Sequence, residues 1–224
     1  RVPTADIEKV IRDCKAASVL PLSSSDIIHA IAWRAFALSS TGSDLSLSKL
    51  FTIFDIRTSA SLPVNFEGNA LFERSAQCRL ATLRELPLRH LAEIYFTHTK
   101  PLQRSDIAQD TAFLQREYAQ GHVDCESGRF TRIVRGSLVD CASETALFVN
   151  DMRFLKAGEI AFDCRAARYE TAVSLGRNFV FVYTHGNATA FLATGRNSAL
   201  TRFGIALKST ISVSTETELQ HSNY

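Results

Sequence analysis

Six histidines and five cysteines supply the imidazole and thiol groups of this chain, and their spacing limits what they can do. His122 precedes Asp124 and Cys125, and His90 precedes Glu93, so either group could be read as a catalytic or metal-binding cluster. Metal ligation needs several convergent imidazole or thiolate donors, and neither spacing supplies them. A thiol–imidazole nucleophile pair would have to be assembled by the tertiary fold. Cys14, Cys78, Cys125, Cys141 and Cys164 are odd in number and widely spaced, with no C-x-x-C pair. That pattern argues against a disulfide framework and a zinc ribbon, and for reduced thiols in the cytosol.

The elements that must position these groups follow from periodicity. Thr4, with Asp6 after it, can open an amphipathic helix in which Ile7, Val10, Ile11, Cys14 and Ala17 share a face. Leu20-Pro21 breaks it. Ser23 or Ser24 with Asp26 opens a second helix, through Ile27 to Phe36, that is apolar nearly all round and must be buried on several sides. After the Ser39–Ser43 loop, Leu50 to Arg57 reads as a strand rich in aromatic and β-branched residues. Ser59 to Glu73, with Pro63, Gly68 and Asn69, reads as ordered loop. Helices return at Pro87, carrying Leu88, Leu91, Ala92 and Tyr95, and at Ser105-Asp106, carrying Ile107, Phe113, Leu114 and Tyr118 up to Gly121.

From about residue 130 the period becomes two. Short strands are predicted at Thr131–Leu138, Ala146–Val149, Glu159–Phe162 and Tyr169–Leu175. Phe179–Thr184 and Ala188–Ala193 flank His185-Gly186-Asn187, a three-residue hairpin connection in which Gly is available for a positive φ. A helix over Ser198–Lys208 lays Leu200, Phe203, Ile205 and Leu207 against the sheet, and the polar tail from Ser212 is expected to fray. No internal repeat or long linker divides the chain. The expectation is one α/β domain over residues 1–211, a mixed sheet with helices packed on one face, followed by a tail over residues 212–224.

Three stretches, in order, resemble the BAHD acyltransferases and more closely their fungal relatives such as the trichothecene acetyltransferases. Ser25-Asp26-Ile27-Ile28-His29-Ala30-Ile31-Ala32-Trp33-Arg34 is similar to the family's D-x-x-x-A-x-x-W-R helix just after the domain crossover. Phe54-Asp55-Ile56-Arg57 followed by Phe66-Glu67-Gly68-Asn69-Ala70 resembles V-D-x-R and Y-x-G-N-A. Asp151-Met152-Arg153-Phe154 leads to Glu159-Ile160-Ala161-Phe162-Asp163, where the family runs into D-F-G-W-G and only the Asp is kept. The hairpin and closing helix then fall where the family ends, so the likeness spans nearly this whole chain but half of the family's protein.

The resemblance implies a chloramphenicol acetyltransferase-like half-domain of a two-domain enzyme that moves an acyl group from acyl-CoA, a co-substrate, to a hydroxyl or amine. In that chemistry a His from H-x-x-x-D removes the acceptor's proton as its oxygen attacks the thioester, and a nearby donor steadies the oxyanion. None of the six histidines here has Asp at the fourth place after it, so the catalytic imidazole is expected from an amino-terminal half-domain, the partner this reading requires. The resemblance further implies coenzyme contacts from Thr58 and Ser59, a tunnel wall from Asn69, and a structural ion pair of Arg57 with Asp163 that shapes backbone rather than doing chemistry. Arg165 and Arg168 compete for that Asp, and Gly68-Asn69 on its own reads as a turn. Arg165-Ala166-Ala167 in place of G-W-G removes two residues free to adopt unusual backbone angles. Trp33-Arg34 reads as core plus a bridging head.

Composition bounds the rest. Hydrophobic residues make up 46% and charged residues 21% of the 224, an ordinary globular balance. A net charge of +2 without a Lys/Arg block gives nucleic acid no electrostatic footprint, and no apolar run approaches the roughly 20 residues that cross a bilayer. A soluble, cytoplasmic protein is therefore expected, the resemblance implies a small-molecule acceptor, and the initial Arg in place of Met is read as a trimmed or excised chain. The competing expectation is a stand-alone, repurposed half-domain, either a cyclase whose pocket folds its substrate or a non-catalytic small-molecule binding module.

Overall fold

The computed structural model describes residues 1–63, 65, 71–99, 103–120, 145–153 and 178–221. A two-residue strand β1 (Val2–Pro3) leads into α1 (Thr4–Ala17), which buries the stripe Ile7, Val10, Ile11 and Cys14 that its spacing predicts. Pro3 rather than Thr4 holds the cap position, and the Thr4 N–H goes to the Asn187 carbonyl at 2.9 Å, which ties the helix start to the far end of the chain. α2 (Ser24–Ser39) is entered through a complete capping box: Ser23 accepts from the Asp26 N–H, and Asp26 accepts from the Ser23 N–H at 2.7 Å. Its apolar circumference is matched by its burial, with Ile27, Ile28, Ala30, Ile31, Ala32, Trp33 and Ala35 all at 0% exposure.

The far end of α2 leaves carbonyls that the helix itself cannot satisfy. Two guanidinium groups supply donors there: Arg84 Nε reaches the Ala37 carbonyl at 3.1 Å and Arg202 Nε the Ser39 carbonyl at 2.9 Å. Positive charge at this end also complements the helix dipole.

β2 (Leu47–Asp55) and β3 (Leu71–Arg79) form an antiparallel pair, with Leu47 opposite Arg79 and Asp55 opposite Leu71. The strand expected over Leu50–Arg57 thus starts earlier and ends before Arg57. β3 begins within the predicted loop Ser59–Glu73 and covers residues where no strand was expected. Its sequence, with Glu73, Arg74, Ser75 and Gln77, lacks the apolar alternation of a two-sided strand, and among the described residues it lies at the sheet edge. α3 (Leu80–Glu85), α4 (Leu88–Thr99) and α5 (Arg104–Ala119) follow, α4 as Pro87 predicts.

β4 (Ala146–Asp151), β5 (Phe179–His185) and β6 (Ala188–Thr194) complete the sheet, and α6 (Asn197–His221) closes the described chain. Among the described residues the sheet order is β1-β6-β5-β4-β2-β3, with β2, β4 and β5 parallel to one another and the outer pairings antiparallel. The hairpin connection is two residues, Gly186-Asn187, rather than three, because His185 pairs directly with Ala188. Gly186 supplies the positive φ, +58°, at the first central position, where a tight hairpin turn asks for it. α6 runs well beyond Lys208. The predicted strands at Thr131–Leu138, Glu159–Phe162 and Tyr169–Leu175, and the helix stop at Gly121, lie outside the described residues.

Alternation along the strands sorts the core. Leu50, Leu147, Val149, Val180 and Val182 face a cluster built with α1, α2, α4 and α6. Their neighbours Phe51, Ala146, Phe148, Phe179 and Phe181 form a separate aromatic cluster on the other face. The result is an α/β fold with a mixed sheet and helices packed against one face.

Candidate functional site

The parallel strands β2 and β4 deliver their carboxyl ends side by side, and in sheets of this kind ligands are bound outside such ends. β2 stops at Asp55 and the chain folds back at once. Arg57 donates its N–H to Asp55 Oδ1 at 2.9 Å and its Nη1 to Asp55 Oδ2 at 2.8 Å. The turn is closed by the Ala60 N–H on the Ile56 carbonyl (2.7 Å) and the Leu62 N–H on the Arg57 carbonyl (2.9 Å). Ser61 takes a φ of 53°, and Arg104 at the start of α5 reaches across to its hydroxyl. Thr58 and Ser59 sit on the outside of this turn with their side chains exposed, able to donate to or accept from a polar ligand.

One strand over, Asp151 and Arg153 form a bidentate pair at 2.8 and 2.7 Å, with side chains only 10% and 20% exposed. Burial alone would raise the Asp151 pKa. The hydrogen bond and charge of Arg153 outweigh it and leave the carboxyl below its ordinary value.

Behind this pair lies a polar chain inside the core. His29 and Trp33 are one turn apart on α2 and face Thr52 and Ser48 on β2: His29 Nε2 lies 2.9 Å from Thr52 Oγ1, and Trp33 Nε1 donates to Ser48 Oγ at 2.9 Å. His29 Nδ1 is 2.7 Å from the Ser25 carbonyl, an oxygen that can only accept. Nδ1 therefore carries the proton, and Nε2 accepts from the Thr52 hydroxyl. The rings of His29 and Tyr95 stack at 4.7 Å. Burial pushes the His29 pKa down from 6.5 and the Tyr95 pKa well up, so both groups are neutral.

A neutral, enclosed imidazole with both nitrogens engaged is a structural link, not a base waiting for substrate. His98 is exposed with Nδ1 on the Ile94 carbonyl at 2.8 Å, and His90 lies half-buried beside Arg89. Among the described residues no cluster of three or more His, Cys, Asp or Glu could hold a metal ion, and no helix is long and apolar enough to cross a membrane.

Of the residues singled out in the sequence, Arg57, Thr58 and Ser59 are brought together in the one turn, whereas Asn69 and Asp163 lie outside the described residues. Arg57 is engaged by Asp55. Trp33-Arg34 divides as expected: Trp33 is fully buried, and Arg34, its pKa lowered by burial, bridges to the carbonyls of Leu83 and Leu86 around α3. The buried chain from Tyr95 to His29 is not legible in the residue spacing. Its only trace in the sequence is a His on an otherwise apolar helix, which tells nothing about the partner strand. The Asp151–Arg153 pair carries a better signal, since the spacing repeats that of Asp55 and Arg57.

No family model matches this chain, and no curated protein matches it. Solved structures do. TRI101 of F. graminearum complexed with coenzyme A and deoxynivalenol superposes with a TM-score of 0.69 at 12% identity, covering 90% of this chain and 45% of that one. The fold is of the BAHD acyltransferase type. TRI101 of F. sporotrichioides complexed with coenzyme A and T-2 gives 0.62 at 11% identity (93% and 48% covered), and vinorine synthase gives 0.62 at 11% identity (93% and 46% covered). At these identities the likeness is one of fold. The chain spans slightly under half the length of each BAHD-type structure, so the half-length expectation from the motifs and the structural overlap agree.

Proposed function

We propose that this chain is the carboxy-terminal half of an acyl-CoA-dependent acyltransferase of secondary metabolism, moving an acyl group from the coenzyme A thioester to a hydroxyl or amine of a small molecule in the cytoplasm. The observation that carries the reading is the overlap with TRI101 in its coenzyme A complex, over 90% of this chain but 45% of that one. The H-x-x-x-D imidazole comes from an amino-terminal half-domain, which abuts the carboxyl ends of β2 and β4. In this reading Thr58 and Ser59 offer hydroxyls to the coenzyme, Asn69 lines the tunnel, and Arg57 and Asp163 hold the backbone behind it. The buried Asp151–Arg153 pair and the His29 chain keep β4, β2 and α2 in register, so that the loops above them present a fixed surface.

The test compares two preparations. The chain alone should transfer no acetyl group from acetyl-CoA to a panel of alcohols and amines, and adding an H-x-x-x-D-bearing amino-terminal half should produce transfer. Turnover by the chain alone that disappears when one of its own histidines is replaced would overturn the proposal. Replacing both Thr58 and Ser59 by Ala should weaken coenzyme A binding, read as a smaller upward shift of the melting temperature at fixed ligand.

A further inference from the structure

At the opposite end of the sheet, where β4 and β5 begin, the structure holds a cleft of about 330 Å³ that the acyl-transfer reading does not use. It opens between the last turn of α2, the first turns of α6 and the strand starts at Thr145 and Asn178. A strand's length of roughly 20 Å separates it from the Thr58–Ser59 turn. Its volume falls within the range of about 300–1,000 Å³ typical of small-molecule pockets.

The chemistry of the walls is divided. Phe36, Leu147, Leu200 and Phe203 supply an apolar floor, while Arg196 and Arg202 stand among the lining residues, which include no Asp or Glu. Arg202 is held in place by its Nε on the Ser39 carbonyl, 2.9 Å away. Arg196 is exposed and has no acidic partner among the described ion pairs. Two arginines among the lining residues of a cleft with an aromatic and aliphatic floor match a ligand with an apolar body and one anionic end, since a carboxylate fits the planar fork of Arg and the body fills the floor.

We propose that this cleft is a binding site for a small organic acid with an aromatic or short aliphatic body, separate from the acyl-transfer site. Phenylacetate and its uncharged counterpart phenylacetamide are suitable probes, followed by amide NMR on the full chain. Phenylacetate should shift the Gly42 and Gly195 amides saturably, and phenylacetamide should bind about tenfold more weakly, the worth of a charge-assisted hydrogen bond. Arg196→Gln should narrow the gap between acid and amide, and Ala199→Trp, which fills the cleft, should abolish both. Arg196 is exposed, so its variant keeps the fold even where the larger Trp does not. Equal affinity for acid and amide, unchanged binding by Arg196→Gln, or the absence of a saturable shift at Gly42 and Gly195 would each overturn the proposal. Coenzyme A binding at the other end of the sheet should be unaffected in Arg196→Gln, so failure here leaves the acyl-transfer reading standing.

Discussion

Two neighbouring parallel strands end on the same pattern, Asp55-Ile56-Arg57 after β2 and Asp151-Met152-Arg153 after β4, and the two endings behave differently. Locally they are alike: in each, the Arg backbone N–H and guanidinium return to the Asp two residues earlier. Their surroundings differ. Register sets Lys49 of β2 against Ala146 of β4, so Asp55 falls on the Phe51 side of the sheet and Asp151 on the Leu147 side, under α2. The first pair is 58% and 39% exposed at Asp and Arg, the second 10% and 20%. A short-range pattern fixes who bonds to whom, whereas burial fixes what the bond is worth.

That contrast can be broken at four points. His29→Ala, beneath Asp151, should be the costliest. It opens a space against Tyr95 and strips partners from the Thr52 hydroxyl and the Ser25 carbonyl, for a loss of about 3–4 kcal/mol in urea unfolding. A loss below about 1 kcal/mol would mean that the buried chain carries no weight. Asp151→Ala leaves the Arg153 guanidinium half-enclosed and unpaired, and should cost about 2–3 kcal/mol once its residual exposure is allowed for.

The third point is pH. His29 is held neutral because burial lowers its pKa below 6.5, so the unfolded chain takes up the proton first. The stability it contributes is complete above pH 6.5 and should drain away as the pH falls from there toward the lower folded-state value. His29→Gln should flatten that limb of the stability profile, and an unchanged slope would contradict the assignment. The smallest effect belongs to Asp55→Asn, which should leave the unfolding midpoint where it is, because both partners of its pair are bathed in solvent. A clear destabilisation there would show the two endings to be equivalent after all.

Legibility from sequence followed the range of the interactions. The start of α2 at Ser23 or Ser24 with Asp26, the stripe of α1, the enclosed helix α2 and the positive φ at Gly186 can be read directly, since each depends on residues within a few positions, whereas the two-residue length of the hairpin connection is set by strand register. β3 escaped because it lacks apolar alternation, and its pairing with β2 is what makes it a strand. The extension of α6 to His221 is not legible in the sequence, because a polar stretch carries no periodic apolar face to mark it as helix. At the candidate site, the turn bearing Thr58 and Ser59 was placed correctly after a strand, whereas nothing near His29 in sequence named Thr52 or Tyr95 as its partners.

The chain by itself therefore determined its helix starts, its turn chemistry, the α/β class and the ordered motifs that pointed to half of a BAHD-type fold. Only the tertiary structure decided which Asp-x-Arg pair is enclosed, that a histidine in the core is a proton-fixed strut rather than a base, and that a cleft with two arginines among its lining residues opens at the far end of the sheet. The reason is physical: hydrogen bonds between near neighbours are written in the spacing of residues, but desolvation depends on what the rest of the chain brings to cover them.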